Sequence, residues 1–220
     1  MKQYKYLWLL LILCMGLGVG VMQGVKYFSA SSVSPVLKTA QLLPLKKSLP
    51  DFSLENSRGD IVDKRVLETK WSLILFGFTS CPDVCPMELQ KLSRVLTMAD
   101  NPLLQVVFVS VDPERDTAEK LVDYVKFFHA GIVGVRGTHR ELASLAHFFG
   151  AIYDRTAIVD NNLLSIPAGA DMPTNIASDY SVSHSLRLFI INPAGEYIGS
   201  FAPPYEPDAI WNDVQILMHD

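Results

Sequence analysis

Cysteine is scarce in this chain, which has Cys14, Cys81 and Cys85 and no others. Beyond residue 26 two remain, half of what a tetrahedral structural zinc site asks for. Acidic residues are missing from the first 26 positions, where Lys2, Lys5 and Lys26 carry the charge. The rest of the chain is therefore about seven charges negative. That balance argues against nucleic acid as a partner and suits a basic protein or a cationic ligand, though it is also ordinary for a soluble domain. Internal repeats and low-complexity tracts are absent too, and 220 residues are enough for one sizeable domain plus an anchor.

What the N-terminus has is an apolar run. Tyr6 to Val25 is apolar apart from Gln23. At a helical rise of about 1.5 Å per residue it spans roughly 30 Å, the hydrocarbon thickness of a bilayer. Residues 6–25 are expected to form an uncleaved transmembrane anchor, because a cleavable signal has an apolar core of only about 7–15 residues. Ala30-Ser31-Ser32 would nonetheless serve as a small-residue cleavage site. Gly16 and Gly20 have G-x-x-x-G spacing, a weak signal in a lone helix, and Cys14 reads as a small apolar residue of the span. Lys2 and Lys5 keep residues 1–5 cytoplasmic by the positive-inside rule and send everything after Lys26 out. In a bacterium this is a single-pass inner-membrane protein with a periplasmic C-terminal domain, a compartment where disulfides persist.

Residues 26–48, broken by Pro35 and Pro44, show no sustained period and are expected to be a tether, with the folded domain at 49–220. Leu49 to Leu54 followed by Ser57-Arg58-Gly59-Asp60 reads as a hairpin. Trp71–Phe78 and Leu103–Val111 read as buried strands, and Ile132–Val135 as a third. Helical spacing follows each, with Leu89, Leu92, Val95 and Leu96 first, then Leu121 to Phe128, then 138–149. Residues 155–178, with two prolines and two adjacent asparagines, are expected to be a long loop. Tyr180–His184 leads into a strand at 186–191, a turn at 192–195 and a paired strand at 196–201, and a last helix covers about 206–218. Strands alternating with helices, a cysteine pair after the first central strand and a terminal hairpin predict an α/β, thioredoxin-like fold with a central mixed sheet.

The pair sits in Cys81-Pro82-Asp83-Val84-Cys85-Pro86. Proline is best tolerated at the first helical position and pushes the preceding residue from helical angles. The loop is thus expected to end just before a helix starting near Met87, with both sulfurs at its N-terminal end, where the macrodipole lowers thiol pKa values. Thiolates so placed do disulfide exchange or hold a soft ion, Cu(I) or Zn(II). A trigonal site of two sulfurs and one imidazole suits copper. Of the five histidines, His129 and His147 lie near helix ends, His139 at a helix start where capping or exposure is the default, and His219 one residue from the terminus. His184, on the segment leading into the hairpin, is the candidate third ligand.

Phe76-Gly77-Phe78-Thr79-Ser80-Cys81-Pro82-Asp83-Val84-Cys85-Pro86 resembles the signature of the Sco/SenC family, membrane-anchored copper chaperones of cytochrome c oxidase assembly. Ser110 to Thr117 resembles the family's second motif, and Tyr180-Ser181-Val182-Ser183-His184-Ser185 its third. The resemblance runs from about Leu49 to the C-terminus. It implies that Cys81, Cys85 and His184 bind Cu(I), or Cu(II) after oxidation. It also implies copper delivery to the dinuclear copper (CuA) site of oxidase subunit II, or reduction of that subunit's cysteines by Cys81 and Cys85 as a redox pair. A periplasmic copper donor or a thiol reductant is the implied upstream partner. Ser80 stands where many members have histidine, and Met172 is a candidate auxiliary ligand in a loop longer than usual. Asp112, Asp116 and Asp179 are expected near the site, with a turn and cap as the plainer role of Asp112, and Tyr180 is expected to be a core aromatic. A peroxidase is disfavoured by Pro82 directly after Cys81, and a purely structural disulfide leaves His184 unexplained.

Overall fold

The computed structural model describes Met15, Gly18 and residues 36–220 apart from 57, 177, 178 and 220. The chain divides into two units, 1–36 and 37–220. Except for Met15 and Gly18, the expected anchor lies outside the described residues, among which no helix is long and apolar enough to cross a membrane.

The second unit runs β1 (Ala40–Ser48), β2 (Leu54–Asn56), β3 (Ile61–Val62), β4 (Trp71–Gly77), α1 (Val84–Ala99), β5 (Leu104–Ser110), α2 (Ala118–Phe128), β6 (Ile132–Arg136) and α3 (His139–Phe149). It continues with β7 (Tyr153–Val159), β8 (Asn162–Pro167), β9 (Tyr180–His184), β10 (Leu188–Ile191), β11 (Glu196–Phe201) and α4 (Pro207–His219). Eight strands form one mixed sheet in the order β1-β11-β10-β4-β5-β6-β2-β3, and β8-β7-β9 form a second. The β4–β5 and β5–β6 pairs are parallel and the others antiparallel.

Alternation along the central strands builds two cores. Leu73 and Leu75 of β4 join one apolar cluster, Ile74 and Phe76 the other. Val106 and Phe108 against Val107 and Val109 in β5, and Leu188 and Ile190 against Phe189 and Ile191 in β10, repeat the pattern. A strand apolar at every position is thus a strand covered on both faces. Leu89, Leu92, Val95 and Leu96 of α1, Leu121 and Val125 of α2, and Ile210, Val214 and Leu217 of α4 cover one face. Leu142, Leu145, Ala146 and Phe149 of α3 cover the other. Each of these side chains larger than alanine contributes about 1.5–3 kcal/mol of burial. The α/β architecture with a central mixed sheet is as expected.

Three local expectations are corrected. The tether read through residue 48 gives way at Ala40 to strand β1, which pairs with β11. As a largely exposed edge strand it needs no alternation, and a register irregularity between Leu42 and Lys47 accommodates Pro44. The loop read at 155–178 is a hairpin over most of its first half. Asp160 and Asn161, at φ 49° and 62°, make a two-residue turn between Val159 and Asn162, a left-handed pair that matches strand twist. Finally, α1 begins at Val84 rather than near Met87. The first turn of a helix has no internal acceptor for its amides, so Pro86 costs nothing as the third helical residue. The topology leaves the thiol loop at the C-terminal end of β4, beside the β5–α2 turn, with β9 brought in by the small sheet.

Candidate metal centre

The strand–helix junction is built for close approach. A Cβ on Gly77 would lie 2.6 Å from Cε2 of Phe108 and 3.1 Å from Sγ of Cys85, so a glycine is needed where β4 passes the thiols. Thr79 then anchors the loop: its backbone N–H donates to Oδ2 of Asp116 at 2.9 Å and its hydroxyl to Oδ1 at 2.5 Å. The fully buried Asp116 carboxylate also accepts from the Ser110 hydroxyl at 2.6 Å, fixing the loop to the end of β5. Lys120 lies 3.8 Å from Asp116 and donates to the Ser80 hydroxyl at 2.8 Å.

Cys81 and Cys85 are both free thiols, 7% and 1% exposed. The Cys85 backbone N–H, one of the unsatisfied amides at the start of α1, lies 3.4 Å from Sγ of Cys81, so the helix terminus is directed at the first sulfur. Sγ of Cys85 is 3.2 Å from Nε2 of His184, 99 residues on. Nδ1 of His184 lies 3.2 Å from the Ser185 carbonyl, where Nδ1–H donates and leaves the Nε2 lone pair for the sulfur side. The two sulfurs and one imidazole nitrogen all lie within 4.8 Å of one another.

Burial dominates the electrostatics. It pushes the Cys85 thiol well above the ordinary range, and a backbone hydrogen bond with Phe78 opposes this without prevailing. The expected dipole-lowered pair is therefore corrected at Cys85, where loss of water outweighs the helix end. Burial likewise lowers the His184 pKa against the carbonyls of Ser185 and Phe76, which favour the charged ring. The pocket thus holds a protonated Cys85 thiol beside a neutral imidazole. Such a donor set fits a soft, thiophilic ion, which exchanges with the thiol protons.

A second layer joins the two arms of the site. Phe78 packs with Cys81, Cys85 and Val182, and its ring meets the His184 ring edge-on with centroids 5.7 Å apart. Buried Asp112 accepts from Nε of Arg115 at 2.5 Å and from the Tyr180 hydroxyl.

The sequence model of the SCO1/SenC family matches residues 41–219. The chain belongs to the SCO1/SenC family. It is 33% identical over 166 residues to the mitochondrial protein SCO1 homolog 1 of Arabidopsis thaliana, covering 74% of this chain and 45% of that one. The chain thus spans less than half the length of that relative. Among solved structures it resembles Arabidopsis thaliana ScoI with copper bound, at 31% identity and TM-score 0.65, covering 77% of this chain and 97% of the other. Yeast Sco1 with copper bound is similar at 27% identity and TM-score 0.65, covering 79% and 90%.

Within this SCO1/SenC domain the structure brings Cys81, Cys85 and His184 together and places Asp112 and Asp116 beneath them. Asp112 does more than cap a turn, because its carboxylate holds Tyr180 at the start of the histidine strand. Asp179 is exposed. Met172 packs against the cluster of Ala157, Ile166 and Tyr180. His139 departs from the capping expectation: 7% exposed, it bonds Glu114 and lies 2.9 Å from Nη1 of the fully buried Arg155. His129 accepts the Gly131 amide through Nδ1 at 2.9 Å. Sequence reasoning missed Gly77, Phe78, Thr79 and Arg115. All four lie inside the matched motifs, and their signal was proximity to a recognised cysteine or aspartate.

Proposed function

We propose that this chain is a membrane-anchored copper metallochaperone that holds Cu(I) or Cu(II) through Cys81, Cys85 and His184. The observation that carries the reading is the convergence of two sulfurs and one imidazole nitrogen within 4.8 Å in a largely apolar pocket. The copper-bound Arabidopsis and yeast relatives support it. The family's role in cytochrome c oxidase assembly supplies the recipient, the dinuclear copper (CuA) site of subunit II. Transfer proceeds by ligand exchange, with recipient thiolates replacing the three donors one at a time. The half-buried, neutral His184 yields first, since the softer and more buried sulfurs hold Cu(I) more firmly. The anchor at 6–25 and the periplasmic face of the inner membrane complete the reading.

His184→Ala tests it. Purified, reduced protein should bind one copper ion, and the variant should lose the Cu(II) absorption and bind Cu(I) far more weakly. Unchanged copper affinity in the variant would remove the three-ligand site. A second reading, thiol–disulfide reduction of the subunit II ligand cysteines, is favoured by the two free thiols standing within 4.8 Å of each other. One sulfur would attack the target disulfide and the other resolve the mixed disulfide, leaving the target as two thiols and this pair oxidised. If stoichiometric reduced protein leaves an oxidised, copper-free subunit II fragment unchanged, that reading falls.

A further inference from the structure

The two sulfurs lie on the loop and helix start after β4 and the imidazole on β9, so something must hold the arms in register when no ion is present. Arg115, in the turn between β5 and α2, touches both. On the histidine side its Nη1 donates to the Tyr180 carbonyl at 3.0 Å, and its guanidinium lies 4.0 Å from the centroid of the Tyr180 ring, at the first residue of β9. On the thiol side the guanidinium lies 5.7 Å from the centroid of Phe78, the ring that packs on both cysteines and meets His184 edge-on. Its Nε bond to Asp112 fixes the plane of the fork, and Asp112 takes the Tyr180 hydroxyl with its other oxygen. A planar cation that both donates in plane and stacks by its face can serve two rings and a carbonyl at once, which a flexible ammonium cannot. The side chain is 19% exposed, so these contacts form in a partly desolvated setting where they are stronger than at the surface.

We propose that Arg115 is a positioning residue that sets His184 against the two thiols. It works through Tyr180 and β9 on one side and through Phe78 on the other, and touches no donor atom of the site. The proposal rests on the reading that Cys81, Cys85 and His184 take copper, and it adds that the third donor is held in place before the ion arrives.

The test is a double-mutant cycle with copper as the probe, on the full chain. Cu(II) and Cu(I) affinities are measured by chelator competition, with the Cu(II) absorption and paramagnetic resonance spectra, for wild type, Arg115→Gln, His184→Ala and the double variant. Arg115→Gln is expected to weaken Cu(II) binding about 10–100-fold, the usual cost of losing an outer-shell partner, and to move the spectrum toward that of His184→Ala. In the His184→Ala background it should add nothing, because its effect runs through that ring. An equal loss in both backgrounds, or no loss in wild type, overturns the proposal while leaving copper binding intact. Arg115→Lys should behave like Gln, and full rescue by Lys would show that charge alone matters and overturn it. If Arg115→Gln does not fold, Tyr180→Phe, which removes only the hydroxyl link to Asp112, should shift the Cu(II) spectrum the same way by a smaller amount; an unchanged spectrum counts against the proposal. A wild-type chain that binds no copper refutes the underlying reading, which the wild-type arm alone decides.

Discussion

At the scale of single residues, the site is governed by how little space and water it contains. Gly77 shows the first limit. A methyl group there meets the Phe108 ring at 2.6 Å and the Cys85 sulfur at 3.1 Å, so Gly77→Ala must displace the Phe108 ring and crowd the sulfur. The expected outcome is a loss of about 1–3 kcal/mol in chemical denaturation, the usual cost of overpacking, together with weakened copper binding. Cys85 shows the second limit. Burial keeps its proton on at neutral pH, while burial of His184 keeps that ring neutral. Binding a soft ion therefore expels a proton from sulfur, and affinity should rise about tenfold per pH unit for each proton released. Copper competition at pH 6, 7 and 8 checks the sign, and a flat profile would contradict it. These residues also mark what was legible in the sequence. Cysteine is rare and chemically loud, so the thiol pair stands out in the sequence, whereas His184 is singled out among five histidines by the motif around it, and the structure groups it with the two sulfurs. Phe78 and Arg115 lie close in sequence to a cysteine and an aspartate, but their stacking on His184 and Tyr180 depends on distant neighbours that no local pattern announces.

At the scale of elements, the same contrast separates the central strands from the edges. A strand buried on both faces is apolar at nearly every position, and β4, β5 and β10 are readable for that reason even with Ser72, Gln105 and Ser110 among them. β1 and β8 satisfy their backbones at sheet edges with side chains mostly in solvent, so no alternation is imposed and their sequences look like a tether and a loop. The start of α1 was displaced because a proline constrains a helix only where an amide is needed. The hairpin of β7 and β8 depends instead on its turn. Asn161 sits at φ 62°, which asparagine tolerates and a β-branched residue does not. Asn161→Val is expected to destabilise the hairpin by about 1–2 kcal/mol. Hydrogen exchange should quicken in 153–167 while α1 and the central strands remain protected.

At the scale of the molecule, the last helix is latched to the segment that leads into β1. Asp213 of α4 is fully buried and accepts from the backbone amides of Lys38, Thr39 and Ala40 at 2.8, 2.7 and 2.8 Å, and from the Thr39 hydroxyl at 3.0 Å. Burial would raise its pKa, but these four donors outweigh it and hold the carboxyl below its ordinary value of 3.8. A depressed folded-state pKa stabilises the fold at pH above the unfolded value and ceases to do so as pH falls through the folded one. Asp213→Asn offers one acceptor and a mismatched amide. It should cost about 2 kcal/mol at pH 7, and the gap from wild type should narrow in denaturation curves taken below pH 3. An equal gap at both pH values would show that the carboxylate charge does not matter.

The distance between the donors along the chain has a final consequence. The sulfurs sit on the loop and the first turn of α1 that follow β4 of the large sheet, and the imidazole on β9 of the small one, 99 residues from Cys85. An ion held by all three is a staple between the thiol loop and β9, closing a long chain loop, and the restraint a crosslink places on the unfolded state grows slowly with loop length. Binding and folding are then thermodynamically linked: a loaded molecule resists unfolding by an amount that grows with the ratio of free ion to Kd. On the proposed delivery role, a recipient that levered β9 away from the thiol loop would lower the affinity of the site without touching a ligand, and release would be a matter of separating those two arms.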